Sequence, residues 1–241
     1  YGTDQTVWGG EVLIADYERF ERVAHLATVP LAGGDASIRR PYRMALAHLW
    51  SAGIPWDDDL APVQAAPPVE RRVLHSQLER DLNVVPTSSM GRLFDAVSAI
   101  TGVRQEVTYE AQAAIELESI ADLDDDGRYG FGLGSTVIDP SPVLASVVED
   151  VRSGVPTGVI AMRFHRAVGD AIVNTAVATR EREGISTVGL SGGVFGNVTL
   201  TRLVRRQLEE VGFRVLIHRQ VPPNDGGLAL GQAMVAATKV R

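Results

Sequence analysis

The sequence predicts an α/β fold in three stretches: a β-strand start over residues 1–30, a mainly helical insert over 31–155, and a closing α/β part over 156–241. Three observations carry this expectation. Valine-rich, alternating residues open the chain, which is the pattern of half-buried strands. Apolar residues then recur at three- and four-residue spacing, the period of amphipathic helices. Last, the order strand, glycine loop, helix occurs twice near the C-terminus, and this repeated unit builds a parallel sheet.

Taken in order, Thr6 to Ala15 and Arg22 to Val29 read as strands. Pro41 suits a first helical position, with Tyr42, Ala45, Leu46 and Leu49 on one face. Ala61 to Pro68 reads as a surface connection, followed by a helical stripe of Val69, Val73, Leu78 and Leu82. Ser88 is the expected cap of a third helix, whose apolar face is Met90, Phe94, Val97 and Ile100, with Gly102 as its stop. Gln112 to Ile120 forms a fourth helix, and the acidic stretch Asp122 to Gly130 a solvated turn. Phe131 to Ile138 is a strand; Ser141-Pro142 starts a helix ending near Gly154, and Thr157 caps a long one with Ile160, Phe164, Val168 and Ile172 spaced for burial. The strand Ile185 to Gly189 leads into Leu190-Ser191-Gly192-Gly193-Val194-Phe195-Gly196-Asn197 and a helix from Val198 to Val211. The strand Phe213 to His218 leads into Val221-Pro222-Pro223-Asn224-Asp225-Gly226-Gly227 and the final helix.

Two glycine loops on one sheet edge, each opening a helix, offer unpaired N–H groups and a positive dipole end to an anion. Composition limits what such a ligand can meet. There is no cysteine, so a thiol nucleophile, a disulfide and a cysteine zinc site are excluded. Lys239 is the only lysine, which excludes P-loop, kinase-type and Schiff-base chemistry from the interior. The histidines (25, 48, 75, 165 and 218) are too far apart for a local metal pair, and His165 reads as a packed, hydrogen-bonded residue. Trp8, Trp50 and Trp56 read as core or interface residues. A net charge of -7 argues against non-specific nucleic-acid binding. With no apolar run of membrane length and no leader, the expected compartment is the cytoplasm, with no membrane partner.

Several motifs in series resemble the hydrogenase maturation carbamoyltransferase family, HypF, in its C-terminal TsaD-like domain. They are Tyr1-Gly2 with Thr6-Val7-Trp8-Gly9-Gly10-Glu11, Leu31-Ala32-Gly33-Gly34-Asp35 with Arg43-Met44-Ala45-Leu46-Ala47, Thr87 to Ala96, Tyr109 to Glu118, and the two C-terminal loops. The resemblance implies the second lobe of an actin/sugar kinase/Hsp70-like (RNase H-like) fold carrying a large, mainly helical insert. It implies transfer of a carbamoyl group from carbamoyl adenylate to the C-terminal cysteine of a HypE-like partner, with ATP and carbamoyl phosphate handled by other domains of the same polypeptide. A divalent metal (Fe, Zn or Mg) belongs to the same implication. The family's two metal-binding histidines and its Asp-Gly-x-Gly turn fall before Tyr1-Gly2, so the expectation is a truncated domain without the first lobe, inactive alone.

Carried onto this sequence, the resemblance makes Asp95 the carboxylate for ribose hydroxyls, although its spacing alone puts it on an exposed helix face beside Arg92. Gln112 falls near a substrate-contacting glycine; the family's Tyr-Glu-Gly-Gln reads Tyr109-Glu110-Ala111-Gln112 here. Gly192, Gly193 and Asn197 match a nucleotide-touching loop, and Asn197 is equally a good helix N-cap. Asp225 matches a metal ligand, and Pro-Asn-Asp-Gly is also a strong turn. The rival readings are a sugar or antibiotic O-carbamoyltransferase and a catalytically silent docking module.

Overall fold

The computed structural model describes residues 2–239; Tyr1 of the Tyr1-Gly2 match lies outside them. The chain opens with an antiparallel hairpin of β1 (Glu11–Ala15) and β2 (Phe20–Leu26). The start is shorter than its valine pattern predicts, because Gly9 and Gly10 bend the chain into a loop. Both of their N–H groups donate to Oε2 of Glu11, at 2.5 and 2.7 Å. A side chain on Gly10 would stand 2.4 Å from the Ser88 carbonyl oxygen, so only glycine fits there.

After β3 (Val29–Ala32) come α1 (Asp35–Arg39), α2 (Pro41–Ser51), α3 (Ala61–Ala65) and α4 (Pro68–Arg80), then β4 (Val84–Thr87), which pairs antiparallel with β3. Next are α5 (Met90–Ile100), α6 (Gln112–Ser119), β5 (Gly132–Leu133), β6 (Val137–Asp139) and α7 (Ser141–Arg152). The long α8 (Thr157–Glu183) leads to β7 (Thr187–Leu190), α9 (Val198–Glu210), β8 (Arg214–Ile217) and α10 (Leu228–Lys239). The sheets are β1-β2-β6-β5, β3-β4 and β7-β8. In the last of these β7 and β8 run parallel, with Leu190 opposite Ile217.

The core centres on α2 packed against α5, both buried on nearly every face. Tyr42, Met44, Leu46 and Leu49 meet the same cluster as Leu93, Phe94 and Ile100, while Ala45, Ala47, Ala96 and Ala99 keep the helices slim. Each large side chain of this set contributes about 1.5–3 kcal/mol by leaving water. The cluster continues through α7 and α8 to Leu200, Val204, Leu208 and Phe213, so α9 lays its apolar stripe on the same core. On α10, by contrast, every residue from Leu228 to Ala237 is exposed.

Several local expectations are corrected. Residues 61–65 are helical, not a surface connection, with Pro62 and Val63 buried. The buried residues of α4 are Leu74 and Leu78, while Val69, Val73 and Leu82 face water. Ser89, not Ser88, caps α5 by accepting from the Arg92 N–H. Pro156, not Thr157, precedes α8, without a side-chain cap. Phe131 to Ile138 breaks into the two short strands β5 and β6. β4 was not anticipated, since Pro86 hides an edge strand from propensity.

Candidate functional site

The two glycine loops lie side by side at the C-terminal ends of β7 and β8. Because Leu190 pairs with Ile217, Ser191 and His218 leave the sheet at the same level. Oγ of Ser191 is 3.0 Å from Nε2 of His218. One step further, the Gly192 N–H donates to the Pro223 carbonyl at 2.7 Å. Gly192 holds φ at +105°, a conformation other residues adopt only with strain. Gly193 follows at the head of a 3-10 turn, Gly193–Gly196, against Asn224. The expected common edge is therefore formed, and the loops touch.

Asn197 performs the capping role its residue type suggested. Its Oδ1 accepts from the Leu200 N–H at 2.8 Å, and its Nδ2 meets Nε2 of His165 at 2.8 Å. His165 is fully buried on α8, with Nδ1 at 2.7 Å from the Ala161 carbonyl. That carbonyl can only accept, so Nδ1 carries the proton, and burial holds the ring neutral by lowering its pKa. Nε2 then accepts from Asn197, and the packed histidine expected from sequence is a brace for the loop. A second brace was missed: Oε1 of Glu118, on α6, accepts from the Thr199 N–H in the first turn of α9 at 2.8 Å. A carboxylate there also complements the helix dipole.

Asp95 is buried, 2% exposed, which corrects the exposed-face reading. Its Oδ2 pairs with Nη1 of Arg92 at 2.7 Å. Burial pushes its pKa up to about 6, and the Arg92 charge opposes that rise. A desolvated carboxylate with a single cationic partner is a common mark of a functional position. Its helix also touches the 193–196 turn, where Val194 comes within reach of Gly91.

Gln112 stands elsewhere. It is buried at the start of α6, about 9 Å along the helix axis from Glu118. Its Oε1 accepts from the Thr108 N–H and hydroxyl, at 2.8 and 3.2 Å, and its Nε2 donates to Glu116 at 2.9 Å. The amide thus closes its own turn. The preceding Ala111 sits at φ +61°, the left-handed region, which glycine would occupy without strain.

Asp225 is exposed and begins the turn Asp225–Gly227, in which Asn224 Oδ1 accepts from the Gly226 N–H at 3.0 Å. Among the described residues no group of three histidine, cysteine, aspartate or glutamate side chains is placed to hold a metal ion. The structure brings Gly192, Gly193, Asn197 and the Asp225 loop together, with the Asp95 helix against them and Gln112 apart. No helix among the described residues is long and apolar enough to cross a membrane.

Known proteins match this arrangement along its whole length. The family model for the carbamoyltransferase Kae1-like domain, second subdomain, matches residues 1–232. Carbamoyltransferase HypF of Rhodobacter capsulatus is 38% identical over 240 residues, covering 99% of this chain and 31% of the relative. That of Rhizobium leguminosarum bv. viciae is 35% identical, over 98% of this chain and 30% of its own length. A crystal structure of full-length HypF in its phosphate- and nucleotide-bound form superposes on all of this chain and 32% of its own, with a TM-score of 0.92 and 38% identity. The structure of T. kodakarensis HypF gives 0.88 and 30% identity, over all of this chain and 33% of its own. The chain spans about a third of the length of these relatives. Its α/β architecture is that of a Kae1-like, actin/sugar kinase-type lobe, and the chain belongs to the HypF carbamoyltransferase family.

Proposed function

We propose that this chain forms the nucleotide-facing lobe of a carbamoyltransferase that moves a carbamoyl group from carbamoyl adenylate to the C-terminal cysteine thiol of a HypE-like partner in hydrogenase maturation. The observation that carries the reading is the pair of glycine loops bonded to each other through Gly192 and Pro223, with Asp225 exposed beside them. A full-length relative of the family is known in a phosphate- and nucleotide-bound form, which agrees with nucleotide chemistry in such proteins. Gly193, at the head of its turn, meets the phosphoryl end through the backbone, Asn197 fixes the loop, and Asp95 receives the ribose hydroxyls once Arg92 releases it. Gln112 acts indirectly, by holding the Thr108–Gln112 turn closed.

In the transfer step the partner's thiolate attacks the carbamoyl carbon; a C–S bond forms, the C–O bond to phosphate breaks, and AMP leaves with the negative charge. This chain contains no cysteine, which agrees with a thiol supplied by the partner. Carbamoyl phosphate and ATP are consumed by other parts of the same polypeptide, in the cytoplasm. A divalent ion, Fe, Zn or Mg, would neutralise the leaving phosphate. Asp225 would offer it one carboxylate, and among the described residues it belongs to no group of three ligands, so the ion would need further donors.

The experiment is Asp225→Ala in the parent polypeptide, assayed for carbamoyl transfer to the partner cysteine. Transfer should be abolished while stability changes by about 1 kcal/mol or less, as for an exposed turn residue. Transfer at the parent rate in that variant would remove Asp225 from the reaction. Binding of adenine nucleotide separates this reading from a silent docking module, which needs none.

A further inference from the structure

We propose that His218 is a positioning residue for the glycine-loop site: it aims the Ser191 hydroxyl at the phosphoryl group of the ligand and clamps the second loop to the first. This rests on the nucleotide reading above and goes beyond it in naming two side chains and the direction of a proton. Three observations combine. Ser191 and His218 are the first residues beyond β7 and β8, at the level where Leu190 pairs with Ile217, so the strand ladder itself delivers them to each other. Their Oγ–Nε2 separation of 3.0 Å is a hydrogen bond between two exposed side chains. No buried group needs satisfying there, and an exposed bond of this kind adds little to stability. The Gly192 to Pro223 bond then closes the far end of the His218–Pro223 segment, so the second loop is fixed to the first at both ends.

The ring and the hydroxyl share one proton direction. With the proton on Nε2, His218 donates to Oγ, and the serine hydrogen is free to donate outward to an anionic oxygen. With the proton on Nδ1, serine must donate to the ring and presents only lone pairs outward, which repel a phosphoryl oxygen. A bound phosphate therefore selects the Nε2–H tautomer.

The test uses the 241-residue chain labelled with 15N and titrated to tens of millimolar with AMP, and separately with inorganic phosphate. The Gly192 and Gly193 amides and the His218 ring nitrogens are followed. In the unaltered chain the amides should shift along a saturating curve as the ring settles into the Nε2–H form. Ser191→Ala and His218→Ala should each weaken binding about 10-fold, the effect of losing one hydrogen bond to a charged group. His218→Gln should recover binding to within about 3-fold, because its amide N–H can donate from the same place. Unchanged affinity in both alanine variants, or a ring whose Nε2 stays without a proton in the bound state, overturns the positioning role and leaves the nucleotide reading standing. If neither AMP nor phosphate gives a saturable shift at Gly192 and Gly193, the nucleotide reading itself fails and this inference falls with it. Equal loss in His218→Gln and His218→Ala also refutes the donor role.

Discussion

Replacing Asp95 by asparagine should make the protein more stable at neutral pH, and increasingly so as pH rises. The carboxyl is buried against one guanidinium, and its titration moves from an ordinary 3.8 to about 6 on folding. The folded state thus holds the proton more tightly than the unfolded chain between those values. Any stability tied to this group is fully present below pH 3.8 and is lost as pH climbs through 6. The displacement is worth roughly 3 kcal/mol in total, and about 2 kcal/mol of it falls between pH 4.5 and 7.5. Asparagine does not titrate, but it forfeits the charged partner of Arg92, a loss of about 1–2 kcal/mol. Urea unfolding of both proteins at pH 4.5, 5.5, 6.5 and 7.5 isolates the effect as a difference. The variant's advantage should grow by about 2 kcal/mol across that range and end positive. A flat difference, or one that shrinks with pH, would refute the claim that a desolvated charge is held in α5. A carboxylate kept at this cost to stability agrees with the ribose-hydroxyl role proposed for Asp95.

Other outcomes follow from single residues. Ala111→Gly should stabilise the protein by about 0.5–1 kcal/mol, since relief of the left-handed conformation exceeds glycine's added chain entropy; thermal unfolding decides it. Asn197→Ala should cost roughly 2–4 kcal/mol in urea unfolding, because the α9 cap and the partner of a buried His165 nitrogen are lost together. The 241-residue chain should bind ATP only in the low millimolar range, about 1–10 mM, because two glycine loops and one exposed carboxylate supply few of the charge-assisted bonds a triphosphate can take; calorimetry returning a low micromolar value would contradict this.

The glycine loops were legible because their determinants are local: Gly192 needs a positive φ, Asn197 caps the helix it begins, and the strands on either side are short apolar runs. Asp95 was misplaced for the opposite reason. Its spacing from Arg92 is that of an exposed ion pair, and nothing near it in sequence says that α5 is enclosed on every side by α2, α6 and α7. Glu118 acts on α9 across 81 residues, a contact that no periodicity encodes. For the same reason His218 carried no signal beyond its residue type, since its partner Ser191 comes from the neighbouring strand. Gln112 shows a milder limit: the motif located the residue, but its amide turned inward to Thr108 and Glu116.

The exposure of α10 bears on how the site is held together in time. The free energy of a local opening scales with the apolar contacts that must be broken, and the residues of α10 from Leu228 to Ala237 have little to break. The Asp225 turn is thus anchored through Pro223 and His218 on one side only, while its other side leads into the least protected helix. Amide hydrogens of α10 should exchange with solvent far faster than those of α2 or α5, by sub-global opening that leaves the core intact. A ligand that bridges Gly193 and the Asp225 turn would slow that exchange, and part of its intrinsic affinity would be spent on ordering the segment.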